Sequence, residues 1–343
     1  MAENRRKAVV PRLRGNSFKE FETFRASIEK YFSDWFGFRD DLIRTHNLLH
    51  VRALQTSPLA AVVIGRDGWL YYNADDSKNL PDYCGLRPFT EKNLDAIERN
   101  LTAVRDELRL RGIAFAVLVT PSKHTIYPEH LPERVRALAG TTRLDQLVER
   151  LGRRPDILFV DVRRALLEGK ARHQLYFRTD THWNSLGAHL AARKLLSSLV
   201  RAAAPVPVPH EEDLVLGLRE RLQTDLAAML GLPEEGHEQD FRLLDRNAAE
   251  GTIIVRPLRQ RQSPGRETRS CETGRPGLRF FLVQDSFGSL IIPSLCREYS
   301  SGVSVWGNRV LESSLDEERP DIVILEVAER FLGLGEEIFL RRD

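Results

Sequence analysis

The chain has little cysteine, methionine or lysine and no long apolar run. Three cysteines in 343 residues, Cys84, Cys271 and Cys296, cannot build a disulfide scaffold. None stand at zinc-ligand spacing, so no metal centre is expected. One bridge is open in an oxidising compartment. The Gly- and Pro-flanked surroundings of Cys84 and Cys271 make that the expected pair, while Cys296, behind Ile291, Ile292 and Leu295, reads as a buried thiol. No segment approaches 18 consecutive apolar residues, which argues against a membrane span. The charged start, Met1 to Lys7, precedes only Ala8-Val9-Val10 and is no signal peptide. Charge of one sign is missing too: 51 basic and 49 acidic residues leave a net of +2, which argues against a dedicated nucleic-acid binder and leaves room only for a local patch. The 43 arginines against 8 lysines are a compositional bias, and any one guanidinium fork can grip a carboxylate.

What is present is enough for a core. About 42% of residues are apolar, and a chain of this size buries on the order of 75% of its unfolded surface. Phe18, Phe21, Phe24, Ile28, Phe32 and Phe36 recur at helical steps, and a second helix follows Gly37. This N-terminal pair, residues 1–57, is expected to cover the main domain; a partner-docking arm is the alternative. Residues 58–343 form the expected main domain, with an irregular insertion at about 201–278. A hairpin is expected over 61–72 around Gly65-Arg66-Asp67-Gly68. Helices then alternate with apolar strands at 115–119, 157–160, 278–283, 302–306 and 321–327, which predicts an α/β fold with a mostly parallel sheet flanked by helices. Pro205, Pro207 and Pro209 break the chain, and 259–277 reads as a mobile loop.

Four segments carry candidate chemistry. Phe281 to Gln284 is a strand running into Asp285-Ser286-Phe287-Gly288, with a helix expected over 287–297. A serine there sits at the carboxyl edge of a parallel strand, where helix N–H groups can stabilise an oxyanion; an N-cap is the bland alternative. Asp180-Thr181-His182-Trp183 places a carboxylate two residues before an imidazole, able to orient the ring, with Trp183 shielding the bond. In Pro121-Ser122-Lys123-His124, Lys123 is either a grip for an anionic group or a solvated loop residue, and His124 is a rival base. Glu329 and Arg330 are expected to form an ion pair that fixes the edge of the site.

Together with Phe36-Gly37-Phe38-Arg39, Gly65-Arg66-Asp67-Gly68-Trp69-Leu70 and Pro320-Asp321, these motifs in this order resemble the SGNH-hydrolase-like domain of the polysaccharide O-acetyltransferase family typified by AlgX and AlgJ. The resemblance runs from about Phe18 to Leu332. It implies a flavodoxin-like SGNH fold with circularly permuted motif order, Ser286 as nucleophile, His182 as general base and Asp180 as its orienting partner. It also implies an acetyl-serine route to or from polysaccharide hydroxyls, no cofactor, a periplasmic or other extracytoplasmic location, and a membrane-bound O-acyltransferase as acetyl donor. Gly307 becomes the candidate oxyanion glycine, and Arg330, Lys123 and Trp183 candidate substrate contacts. The family's glycine before Asp-Ser is Gln284 here, its Pro-Asn-Lys is Pro121-Ser122-Lys123, and the position of its oxyanion asparagine holds Glu326 to Arg330. A catalytically inactive glycan-binding scaffold and a cytoplasmic small-molecule esterase are the rival readings.

Overall fold

A computed structural model describes residues 8–13, 15, 17–74, 79–202, 214–221, 224–245, 256–257, 269–274, 276–307 and 312–332. The Gly65-Arg66-Asp67-Gly68 turn forms the expected hairpin, pairing β1 (Val62–Ile64) antiparallel with β2 (Leu70–Tyr72). The main sheet contains β3 (Ala114–Thr120) and β4 (Leu158–Asp161) from the first half of the chain. A second antiparallel pair, β5 (Leu214–Arg221) with β6 (Glu238–Asp245), stands apart from it. Then come β7 (Arg256–Pro257), β8 (Arg269–Glu272), β9 (Arg279–Gln284), β10 (Ser301–Trp306) and β11 (Ile322–Ala328). The order across the seven-stranded sheet is β4-β3-β11-β9-β10-β8-β7. The first five strands are parallel; β8 and β7 add an antiparallel edge.

Period-two alternation in the central strands divides the core. Ala116, Leu118, Leu282 and Ile324 face one cluster, which takes in the Ser185–Ala202 and Ile292–Glu298 helices. Val117, Val119, Val283 and Leu325 face the other, packed by the Glu91–Leu110 and Arg143–Gly152 helices. Both long helices are told where to start. Thr90 and Thr142 each close a capping box, with Asn93 and Asp145. Asn184 Oδ1 accepts the Gly187 N–H (2.9 Å) at the head of Ser185–Ala202.

Several expectations need correction. The N-terminal pair does not cover the main domain as one unit. The Phe18–Trp35 helix leaves Phe18 79%, Phe21 58%, Phe32 69% and Trp35 55% exposed. The second segment, Arg39–Leu48 continuing as a π-helical turn to Leu54, does dock. It does so through Asn47 Nδ2 on the Leu230 carbonyl (2.7 Å) and the pairs Arg44–Glu234 and Arg52–Glu235. The segment after Ser286 begins with a 3₁₀ turn, Gly288–Leu290, and turns α-helical only at Ile292. The disulfide joins Cys271 and Cys296, leaving Cys84 as the free thiol. β8 lies beside β10, and the 292–298 helix packs on β10, so the two thiols meet in the core; flanking glycines said nothing about that distance. The loop expected at 259–277 contains β8, and its residues 259–268 and 275 lie outside the described residues, as do Pro205, Pro207, Pro209 and Met1 to Lys7. Among the described residues no helix is long and apolar enough to cross a membrane.

Candidate active site

β9 ends in mid-sheet, and Ser286 follows at its carboxyl edge. Asp285 shapes the turn. Its Oδ1 accepts the Phe287 N–H (2.9 Å), an Asx-type closure, and its Oδ2 accepts the Ala328 N–H (2.7 Å). Ser286 is thereby tied to the end of β11. Its side chain caps no helix; instead Oγ accepts a hydrogen bond from Arg330 Nη2 (2.9 Å). The Ser286 N–H donates to no protein group among the described residues. The Arg330 guanidinium lies over the rings of Phe331, Phe287 and Tyr72 (4.9, 5.3 and 5.7 Å), where a cation is favoured by the ring quadrupoles.

The second segment loops out and back between a Tyr176–Trp183 bridge. Asp180 is buried, and its Oδ1 holds His182 Nδ1 at 2.7 Å while also accepting the His182 N–H (3.0 Å). With the carboxylate as acceptor, Nδ1 carries the proton and Nε2 is the basic nitrogen. Nε2 is buried and makes no hydrogen bond. The two segments, about a hundred residues apart, meet at Phe287. Trp183 Nε1 donates to its carbonyl (3.1 Å), and its ring lies 4.6 Å from that of His182. Trp183 is fully buried with its one donor engaged. It ties the segments together and is not a substrate contact.

Lys123 is neither an anion grip nor a solvated loop residue. It is 3% exposed, and its Nζ donates to the carbonyls of Phe177 (3.0 Å), Arg178 (3.0 Å) and Asp180 (2.7 Å). Burial lowers its pKa to about 8, with Asp225, Asp180 and Glu238 opposing the shift. His124 is buried against Tyr71 and Tyr83, both nitrogens unpartnered. Burial and the neighbouring Lys123 push its pKa down to about 3, so it is neutral. It lines a narrow cleft with Asn79, Tyr72 and Arg330. Glu329 does not pair with Arg330: its Oε2 accepts the Ser122 N–H (2.7 Å) and the Thr125 hydroxyl (2.8 Å). Gly307 keeps a positive φ of 144°, but its N–H donates to the Gln284 carbonyl (3.0 Å), so it is not a free oxyanion donor.

The supposedly irregular insertion supplies three carboxylates that sequence reasoning missed. Asp225 accepts the Thr181 N–H (2.7 Å), and its other oxygen lies 3.6 Å from His182 Nδ1. Glu238 accepts the N–H groups of Arg178 (2.8 Å) and Thr179 (2.7 Å). Asp240 accepts the Ser185 N–H (2.9 Å) and Arg219 Nη2 (2.6 Å). Only Asp225 had a local signal, the helix start at Thr224-Asp225. One oxygen or nitrogen from each of Asp180, His182 and Asp225 lies within 4.8 Å of the others, close enough to bracket a cation. Backbone N–H groups already donate to both carboxylates, and a cation would have to displace the Nδ1 proton.

A parallel sheet with a serine at one strand end and an Asp-x-His loop beside it is the SGNH hydrolase layout. The family model described as the SGNH hydrolase-like domain of acetyltransferase AlgX matches residues 62–248, and the chain belongs to that family. Asp180 and His182 lie inside the match; Ser286 and Arg330 lie beyond it. The chain is 31% identical over 140 residues to the probable alginate O-acetylase AlgJ of Pseudomonas putida, 41% of this chain and 34% of that protein. It is 34% identical over 138 residues to the same-named protein of Pseudomonas aeruginosa, 39% and 32% respectively. The alignments span about a third of these relatives' length. Among solved structures, Bacillus cereus PatB1 superposes with TM-score 0.55 at 14% identity, over 78% of this chain and 95% of that one. The O-acetyltransferase domain of Pseudomonas putida AlgJ gives 0.50 at 20% identity, over 79% and 92%. These show a shared fold.

Proposed function

We propose that the protein is an O-acetyltransferase that moves an acetyl group through an acetyl-Ser286 intermediate to hydroxyls of a polysaccharide. The observation that carries this reading is the Asp180–His182 pair, closed at 2.7 Å, with Nε2 free of hydrogen bonds and the ring 4.6 Å from that of Phe287, the residue after Ser286. His182 takes the Ser286 proton as the hydroxyl attacks the donor's carbonyl, and Asp180 stabilises the imidazolium. The Ser286 N–H and the Arg330 guanidinium are the donors for the oxyanion, Arg330 standing where the family has asparagine. His182 returns the proton to the leaving group. It then deprotonates the sugar hydroxyl that takes the acetyl.

The relatives' names supply alginate as the polysaccharide to try first. The Cys271–Cys296 bridge supports an extracytoplasmic location, and a membrane-bound O-acyltransferase is the proposed acetyl source. Ser286→Ala should lower acetyl release from a chromogenic acetate ester by a factor on the order of 10³ or more and abolish labelling by a fluorophosphonate. Wild-type turnover in that variant would refute the mechanism. One observation favours a second reading, a glycan-binding scaffold without catalysis: Ser286 Oγ bonds Arg330 and makes no bond to His182. Polysaccharide binding by a wild-type protein whose serine resists the fluorophosphonate would select it.

A further inference from the structure

Beneath the nucleophile turn lies a second carboxyl group that the acyl-transfer mechanism does not use. Glu326, near the end of β11, is 1% exposed. Its Oε1 accepts the Thr120 hydroxyl from β3 (2.7 Å), and its Oε2 accepts the Asp285 N–H (3.2 Å). Asp285 itself bonds the N–H groups of Phe287 and Ala328. Two carboxyl groups therefore meet where β9 and β11 end, and no cation pairs with either among the ion pairs of the described residues. The space is tight: a Cβ on Gly288 would come within 2.9 Å of Glu326 Oε2 and 2.6 Å of Gln284 Oε1, itself buried and unpartnered.

We propose that Glu326 is held as the neutral acid and donates its proton to Asp285, and that this acid–carboxylate pair is a positioning device that sets Ser286 against Arg330. Two carboxylates sharing one dry pocket disfavour each other's charge, so one of them is held neutral. Asp285 is the acceptor of that proton, because two backbone N–H groups point at its carboxylate, against one backbone N–H and a hydroxyl at Glu326. The groups facing Glu326 agree. From β3 comes a hydroxyl, and from the β9 turn a carboxylate. From the loop before His182 comes the buried Tyr176 phenol, which donates to the Pro121 carbonyl (2.6 Å). None is a cation. Burial first, then Asp285, pushes the Glu326 carboxyl well above its usual range.

The inference concerns the turn and stands apart from the acetyl-transfer reading, so it has a readout that needs no catalysis. Thermal melts of wild type and Glu326→Gln are compared from pH 4 to pH 8. In the native state the acid keeps a proton that the unfolded chain loses above its ordinary value, so wild-type stability falls as pH rises. Glu326→Gln carries the hydrogen permanently. Its melting temperature should match wild type near pH 4 and exceed it increasingly toward pH 8. Its ester turnover at pH 7 should stay within about twofold of wild type, whereas Glu326→Leu should lose on the order of 10²-fold through a displaced serine. A constant gap between the melting curves, or a Gln variant that melts below wild type at pH 8, overturns the proposal. If wild type shows no ester turnover while the melting gap opens as described, the acetyl-transfer reading fails and this one stands.

Discussion

At His182 two carboxylates compete for one nitrogen. Asp180 is buried and 2.7 Å from Nδ1; Asp225 is more exposed and 3.6 Å away. Only the first is within hydrogen-bond distance, so the tautomer is set by Asp180 and Asp225 acts on the backbone at Thr181. Asp180→Asn should lose on the order of 10⁴-fold in ester turnover, because an amide can hold the wrong tautomer. Asp225→Asn keeps an acceptor for the Thr181 N–H and should lose no more than about tenfold. Parallel kinetics on both variants check this, and equal losses would mean that both carboxylates serve the ring. The Asp180–His182 relation was legible in the sequence because two residues of spacing fix it locally. The positions of Asp225, Glu238 and Glu326 were not. Each acts on a backbone or side-chain group 41 to 60 residues away or further, and neither periodicity nor spacing reports such a meeting. Lys123 was misread for the same reason: a lysine after a strand is usually solvated, and only the fold puts three carbonyls around it.

That lysine governs a whole element, the 177–180 loop that delivers Asp180. Lys123 grips the loop's carbonyls while Glu238 grips its N–H groups, so the loop is held through both kinds of backbone polar group. Lys123→Met takes the ammonium away from those three carbonyls, at a cost of about 3 kcal/mol, and should lower ester turnover on the order of 10²-fold by letting His182 drift. The pH dependence has a defined sign. The native ammonium titrates near pH 8 and the unfolded one near 10.5. Between these values the unfolded chain binds more protons, so the lysine's contribution to stability rises with pH. Urea melts should show wild type gaining on Lys123→Met between pH 8 and pH 10. A margin that shrinks over that range would mean the ammonium is not desolvated.

Across the whole molecule, the alternation of helix and strand was enough to predict a parallel sheet, because each buried strand announces itself as a short apolar run. What it left open was how the N-terminal helices sit, since an apolar stripe looks the same whether covered or bare. The sequence boundary at residue 57 divides the chain after both helices, but the contacts divide it elsewhere. The 39–54 segment is joined to the main body by Asn47, Arg44 and Arg52, and Leu48 and Val51 pack beside Val62, Ile64, Leu226 and Leu230. The Phe18–Trp35 helix leaves most of its aromatic stripe in solvent. Deleting residues through Gly37 therefore removes little that the body buries, and should leave both the melting temperature and fluorophosphonate labelling of Ser286 close to wild type. Deleting through Ser57 strips the cluster beneath β1 and β2 and the buried Asn47 bond, a loss of a few kcal/mol by the usual cost of emptying an apolar site, about 2–5 kcal/mol for each large side chain. β2 also pairs its Leu70 N–H with the Arg178 carbonyl, in the loop that carries Asp180. The longer deletion should thus reduce serine labelling as well as stability. If the shorter deletion were equally damaging, the first helix would have to be seated against the body in solution.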